Sequence, residues 1–156
     1  MTPLFGETEA VAKFVSERVE GCARGFGKCQ AIGFLDDEGL LVAGIVYHNW
    51  NPESEVIEMS GASITPRWLT KPILRLIFGY PFNDAGCQMV VMRVSEDNKH
   101  LHRQLYACGF KSHKIPRMRG RNKAELIFTL DFKGGIACLL FSWHKMSSYC
   151  SEILTF

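Results

Sequence analysis

Residues 55–78 read EVIEMSGASITPRWLTKPILRLIF, and the change of period inside this stretch decides the fold. From Glu55 to Ile64 the pattern is that of a strand, with Val56, Glu58, Ser60, Ala62 and Ile64 on one face. Thr70 then suits a helix N-cap, Pro72 falls in the first turn, and Ile73, Leu74, Leu76, Ile77 and Phe78 follow at helical spacing. A strand therefore hands over to a helix across a short loop. Upstream, Gln30 to Leu35 and Leu40 to His48 read as two more strands joined by the turn Asp36-Asp37-Glu38-Gly39. A second turn, Asn49 to Ser54 with Pro52, completes a three-stranded antiparallel meander. A helix from Glu9 to Val19 precedes it, with Ala10, Val11, Phe14, Val15 and Val19 at helical spacing.

Downstream, Gly79-Tyr80-Pro81 disturbs the helix and Gly86 closes the segment. Gln88 to Val94 is a β-rich run, so helix and strand together resemble a crossover unit. Asp97 or Asn98 caps a further helix through Leu101, Leu105 and Cys108, ended by Gly109. Lys111 to Ile115 and Ala124 to Asp131 are two final strands around a basic loop. The expected class is α/β (α+β): a mixed, mostly antiparallel twisted sheet flanked by helices. Residues 1–132 form the domain. Residues 133–156 are an extension whose Leu139, Leu140, Phe141 and Trp143 want burial, as a closing helix, a homodimer contact or a tail.

A chain of 156 residues can bury one core unaided, and 47% hydrophobic with 22% charged residues is ordinary for a globular protein. A net charge of +2 does not by itself imply a nucleic-acid or membrane partner. Cys22, Cys29, Cys87, Cys108, Cys138 and Cys150 form no CxxC pair, and the histidines lack zinc-ligand spacing, so no metal is expected. With no apolar leader after Met1, the expectation is free thiols and a cytoplasmic location. The uncharged run from Gly134 to Trp143 is far short of the roughly 20 residues that span a bilayer.

The order helix, three-strand meander, helix, strand, helix, two strands resembles the GCN5-related N-acetyltransferase (GNAT) superfamily over residues 8–131, and within it the acetyltransferases of phage and prophage type. Three segments carry the resemblance: Ala31-Ile32-Gly33 with Leu41 to His48; Ser63 to Thr70; and Glu96-Asp97-Asn98 running to Gly109-Phe110. It implies a splayed central strand pair, with acetyl-CoA between the third and fourth strands and its pyrophosphate at the N-terminus of the following helix. It also implies transfer of the acetyl group to a primary amine of a protein or small molecule. The cofactor contacts then fall on Ser63, Ile64, Arg67, Trp68, Leu69, Thr70, Lys71 and Asn98. A helix N-terminus offers unpaired N–H groups and positive potential to a pyrophosphate. The sequence departs from the superfamily here: Leu69 stands at the Gln/Arg position, and Thr70 and Pro72 stand where the glycines belong. That departure supports an alternative, a non-catalytic binding or assembly module on the same fold with a degenerate coenzyme site.

An amine must lose a proton before it attacks, which asks for a general base. Glu58, six residues before Ile64, occupies the position of the basic glutamate in the histone-acetyltransferase branch, and Val56, Ile57 and Met59 around it would desolvate it. The plainer reading is an outward strand glutamate. The superfamily tyrosine that serves the leaving thiolate would fall at Leu105, and Tyr106 is one residue late, about 100° around a helix. His48, at a strand end, is a second candidate base or a residue of the acceptor cleft. Lys111, Lys114, Arg117, Arg119, Arg121 and Lys123 hold a third of all Lys and Arg without an intervening acid. They could recruit an acidic substrate, phosphate or RNA, or simply be a solvated loop; without interleaved aromatics, nucleic acid is not the expected partner.

Overall fold

Alternation along the central strands divides the core in two. In the computed structural model, which describes residues 1–65 and 68–133, β2 (Cys29–Leu35), β3 (Leu41–Asn51) and β4 (Val56–Ser63) form the expected antiparallel meander. Ile32, Phe34, Ile45, Tyr47, Ile57 and Met59 point to one face. There α2 (Lys71–Gly79) contributes Leu74, Ile77 and Phe78, and α3 (Lys99–Ala107) contributes Leu105. Ala31, Val46 and Ala62 point to the other face, where α1 (Thr8–Ser16) lays down Val11, Phe14 and Val15.

The close approach of α1 depends on two cross-strand partners that carry no side chain, Gly33 and Gly44. A Cβ on Gly44 would stand 2.8 Å from Val11 Cγ1 and 3.1 Å from Val15 Cγ2. One on Gly33 would meet Val11 Cγ2 at 2.8 Å. On the opposite face, Tyr47 is buried and its hydroxyl donates to the Ile77 carbonyl at 2.7 Å, tying α2 to β3.

After the crossover, β5 (Met89–Ser95) runs parallel to β4, and β7 (Glu125–Asp131) inserts between β5 and β6 (Lys111–Ile115). A short β1 (Thr2–Leu4) pairs with β2 at the far edge, giving the order β1-β2-β3-β4-β5-β7-β6. Among the described strands only the β4–β5 pair is parallel, so the mixed, mostly antiparallel sheet is as expected.

The differences lie at element ends. β1 was not expected, because three residues carry too little pattern. α1 stops at Ser16 rather than Val19. Gly79-Tyr80-Pro81 does disturb the helix: α2 ends at Gly79 and Tyr80–Asp84 follows as a π-helical turn, with the Ala85 N–H bonded to the Tyr80 carbonyl at 2.8 Å. Proline is tolerated there because Pro81 stands in the first positions of that turn, where a missing N–H costs least. Cys22, Cys29, Cys87 and Cys108 form no disulfide. Cys138, Cys150 and the extension beyond Lys133 lie outside the described residues. Among the described residues, no helix is long and apolar enough to cross a membrane.

Candidate functional site

The parallel pair β4–β5 is joined only at Val56↔Met89, Ile57↔Val90 and Glu58↔Val91. Beyond this point β4 stays bonded to β3 as far as Ser63, and β5 to β7 as far as Ser95, so the two strands part. Hydrogen bonding fixes which groups face the resulting fork. The Ile64 N–H donates to the Val42 carbonyl at 2.9 Å, so by antiparallel alternation the main-chain groups of Ser60 and Ala62 also face β3. Those of Gly61 and Ser63 therefore face the fork. From the other side, the Glu96 N–H donates to the Ala124 carbonyl at 3.3 Å, which by the same alternation turns the main chain of Arg93 toward the fork. A cleft of about 530 Å³ occupies it, lined by Gly61 to Ser63 on β4 with Ile64 just after it, by Arg93 to Ser95 on β5, and by Asn98 and Leu101 beyond β5. It is a slot with main-chain donors and acceptors along its β4 wall, and the charged side chains of Arg18, Glu20, Arg119 and Lys123 also line it.

A second cavity of about 430 Å³ adjoins it on the α1 face and shares Val19, Glu20, Arg93 and Arg119 with it. Glu58, Ser60 and His48 line this cavity. The register produces the cluster: His48 is the cross-strand partner of Glu58, and Ser60 is the next residue on the same face of β4. His48 Nε2 lies 3.0 Å from Ser60 Oγ, and His48 Nδ1 lies 3.8 Å from Glu58 Oε2. Burial holds the His48 pKa below the ordinary imidazole value; the Glu58 carboxylate opposes that shift and Arg93 adds to it. Cys22, on the loop after α1, reaches the same cavity and hydrogen-bonds Ser60, and burial pushes its thiol pKa up. The environment of Glu58 differs from expectation. Ile57 and Met59 point into the opposite core, so its neighbours are His48, Ser60 and Arg93 rather than an apolar shell.

An ion network walls both cavities. Glu125 is 1% exposed and accepts from Arg93 Nε at 3.0 Å, Arg93 Nη2 at 2.8 Å and Arg119 Nε at 2.8 Å. Arg119 Nη1 continues to Glu20 at 3.4 Å, and Lys123 Nζ bridges Glu20 at 3.1 Å and Asp97 at 3.2 Å. The basic loop between β6 and β7 is thus stapled to the loop after α1. Lys114 pairs with Glu96 at 2.7 Å. Three of the six cations in the basic cluster, Lys114, Arg119 and Lys123, are therefore paired with acids.

Of the residues expected to hold a cofactor, Ser63, Ile64 and Asn98 line the fork. The Ser63 hydroxyl is engaged locally, donating to the Thr65 carbonyl at 2.9 Å and accepting from the Thr65 N–H at 3.1 Å. Asn98 is also the α3 N-cap, its Oδ1 accepting from the Leu101 N–H at 3.1 Å. Trp68 is buried against Phe34, with ring centroids 5.4 Å apart. Trp68, Leu69, Thr70 and Lys71 are not among the residues lining the fork, and Arg67 lies outside the described residues. Thr70 is the α2 N-cap in extended conformation without a side-chain cap bond. The first intrahelical bond runs from the Leu74 N–H to the Thr70 carbonyl at 2.8 Å, which leaves the N–H groups of Lys71 and Ile73 outside the ladder. Tyr106 is half-exposed against Phe128 and hydrogen-bonds Ser112; it lines neither cavity. Leu105 is buried in the core, where the one-residue offset places it.

The sequence reading missed Glu20, Cys22, Arg93 and Glu125 as site residues. Arg93 did carry a signal: it is the lone charge inside an otherwise uncharged strand stretch, and such charges pair when buried. Among the described residues no group of His, Cys, Asp or Glu could hold a metal ion.

No protein-family profile matches the chain, and no curated protein matches its sequence. Solved structures do match. A chimera of the spermidine N-acetyltransferase SpeG from Vibrio cholerae and hSSAT is 11% identical, with a TM-score of 0.67 over 87% of this chain and 99% of that one. Mutant forms of the spermidine/spermine N-acetyltransferase SpeG from Vibrio cholerae are 11% identical, with a TM-score of 0.62 over 69% of each chain. A crystal structure assigned as an acetyltransferase is 18% identical, with a TM-score of 0.60 over 72% of this chain and 65% of that one. The chain has the fold of these acetyltransferases.

Proposed function

We propose that this chain is a member of the GNAT superfamily that moves an acetyl group from acetyl-CoA to a primary amine. The observation that carries the reading is the fork. The sheet opens beyond Glu58 and Val91, and the opening leads into a cavity that contains a carboxylate. An extended pantetheine arm has the length and amide spacing to replace the missing strand pairing against Gly61 and Ser63. The unladdered N–H groups of Lys71 and Ile73 and the Lys71 ammonium would serve the pyrophosphate. Glu58 would take the proton of the acceptor ammonium, directly or through water, and the departing thiolate would recover a proton as it leaves. The cavity carries Glu20, Glu58 and Glu125 against Arg93 and Arg119, and both arginines are already bound to Glu125. That balance favours a cationic amine, and polyamines are the acceptors of the solved SpeG enzymes.

One observation favours the second reading, a binding module without transfer. Pro72, at the second position of α2, removes a main-chain donor where a phosphate would sit. Thermal or chemical unfolding with and without acetyl-CoA separates the two. A ligand at 100 times its Kd adds about 2.7 kcal/mol, and no stabilisation at millimolar acetyl-CoA would leave only the module. Glu58→Gln is the companion test: transfer should fall about 100-fold or more, and undiminished transfer removes Glu58 as the base.

A further inference from the structure

We propose that Ser60, His48 and Glu58 form a hydroxyl–imidazole–carboxylate relay through which the chain takes an acyl group from an activated ester or thioester onto Ser60 Oγ and passes it to water. Such a constellation is recognised by geometry and role, not by fold. Here β-sheet register assembles it, since Glu58 and Ser60 share one face of β4 and His48 stands across from Glu58 on β3. The ring nitrogens lie 3.0 Å from Ser60 Oγ and 3.8 Å from Glu58 Oε2. A carboxylate beside Nδ1 holds the ring proton on that side, which leaves the Nε2 lone pair to accept from the Ser60 hydroxyl. His48 is 8% exposed and its ring packs on Phe26, with centroids 4.8 Å apart, so the ring has little room to swing away. Closing the Glu58 gap to a hydrogen bond takes a shift of about 1 Å by a side chain that is 26% exposed.

The residue after the serine supplies a further part. By strand alternation the Gly61 N–H faces the fork, where β5 has parted from β4, and can donate to an oxyanion formed on an acyl group at Ser60. The steps balance. Ser60 Oγ attacks the acyl carbon while His48 Nε2 takes the hydroxyl proton. The tetrahedral adduct expels the thiolate or aryloxide, which receives that proton, and an acyl ester remains on Ser60. Water then attacks the ester, His48 takes its proton, and the proton returns to Ser60 Oγ as the carboxylic acid leaves. The net change is hydrolysis of one ester or thioester bond.

This activity shares the cavity with the transfer proposed above but needs neither coenzyme A nor an amine, so the two stand or fall separately. The test is incubation of the full chain with p-nitrophenyl acetate in amine-free buffer, followed by an acid quench and peptide mapping by mass spectrometry. The expected result is one acetyl group on Ser60, formed with a burst of p-nitrophenolate. His48→Gln should slow that burst about 100-fold or more, and Ser60→Ala should abolish the adduct. An unmodified Ser60 in the native chain, acetylation of Cys22 in its place, or an unchanged burst in Ser60→Ala overturns the proposal. The map of the native chain decides the matter even if a variant fails to fold.

Discussion

Replacing Glu125 by glutamine should destabilise the protein by about 3 kcal/mol, and the figure follows from the geometry of its carboxylate. The group is 1% exposed and receives three charge-assisted hydrogen bonds between 2.8 and 3.0 Å from two guanidinium groups. A hydrogen bond to a charged group contributes about 1.5–3 kcal/mol, and stripping one partner from a buried pair costs about 3–5 kcal/mol. The lower end applies, because the Arg93 side chain is 44% exposed and water can take over part of its solvation, whereas Arg119 is 15% exposed and cannot be rehydrated as easily. Glutamine has the same shape but brings N–H donors toward two groups that can only donate. Urea unfolding with an unchanged m-value is the assay. The double variant Glu125→Gln with Arg119→Met should recover part of the loss, since it removes the charge left most deeply buried. A loss below about 1 kcal/mol would refute the reasoning, because the network would then behave as a solvated surface cluster.

Two more outcomes follow from packing and protonation. Gly44→Ala should destabilise by about 1–2 kcal/mol in the same assay, since overpacking costs about 1–3 kcal/mol while the stiffer unfolded chain returns up to about 1 kcal/mol. The new methyl meets Val11 and Val15, both fully buried and β-branched and so unable to turn aside; a neutral effect would mean that α1 floats on the sheet. Burial lowers the pKa of His48, His100 and His102, and in His102 the Ser95 carbonyl only partly offsets it. The unfolded chain therefore binds protons more readily than the folded one below pH about 6.5. This contribution is fully present above that pH and is lost as pH falls toward the folded values. The urea midpoint should drop between pH 7.5 and 5.5, and a flat profile would count against these burial assignments.

Strand and helix periods were legible in the sequence because burial on one face imposes them on local residues. The meander, the handover from strand to helix after residue 64 and the Asn98 cap all rest on such short-range rules. They also placed Glu58 on the face it occupies, since period 2 is a backbone property. The same period shows why the expected apolar shell around Glu58 is absent: sequence neighbours on a strand point to opposite faces.

Only the tertiary structure decided where β4 and β5 part, because a parallel pair joined through a crossover leaves no trace of its last bonded residue in either strand. It alone brought Glu125 between Arg93 and Arg119, which lie 32 and 6 residues away, and Ser60 to His48, which is 12 residues away. Long-range pairing is set by how the sheet twists and closes, and a linear pattern does not encode which isolated charge meets which. Local periodicity set which side chains share each face, whereas packing of the whole sheet assembled them into a site.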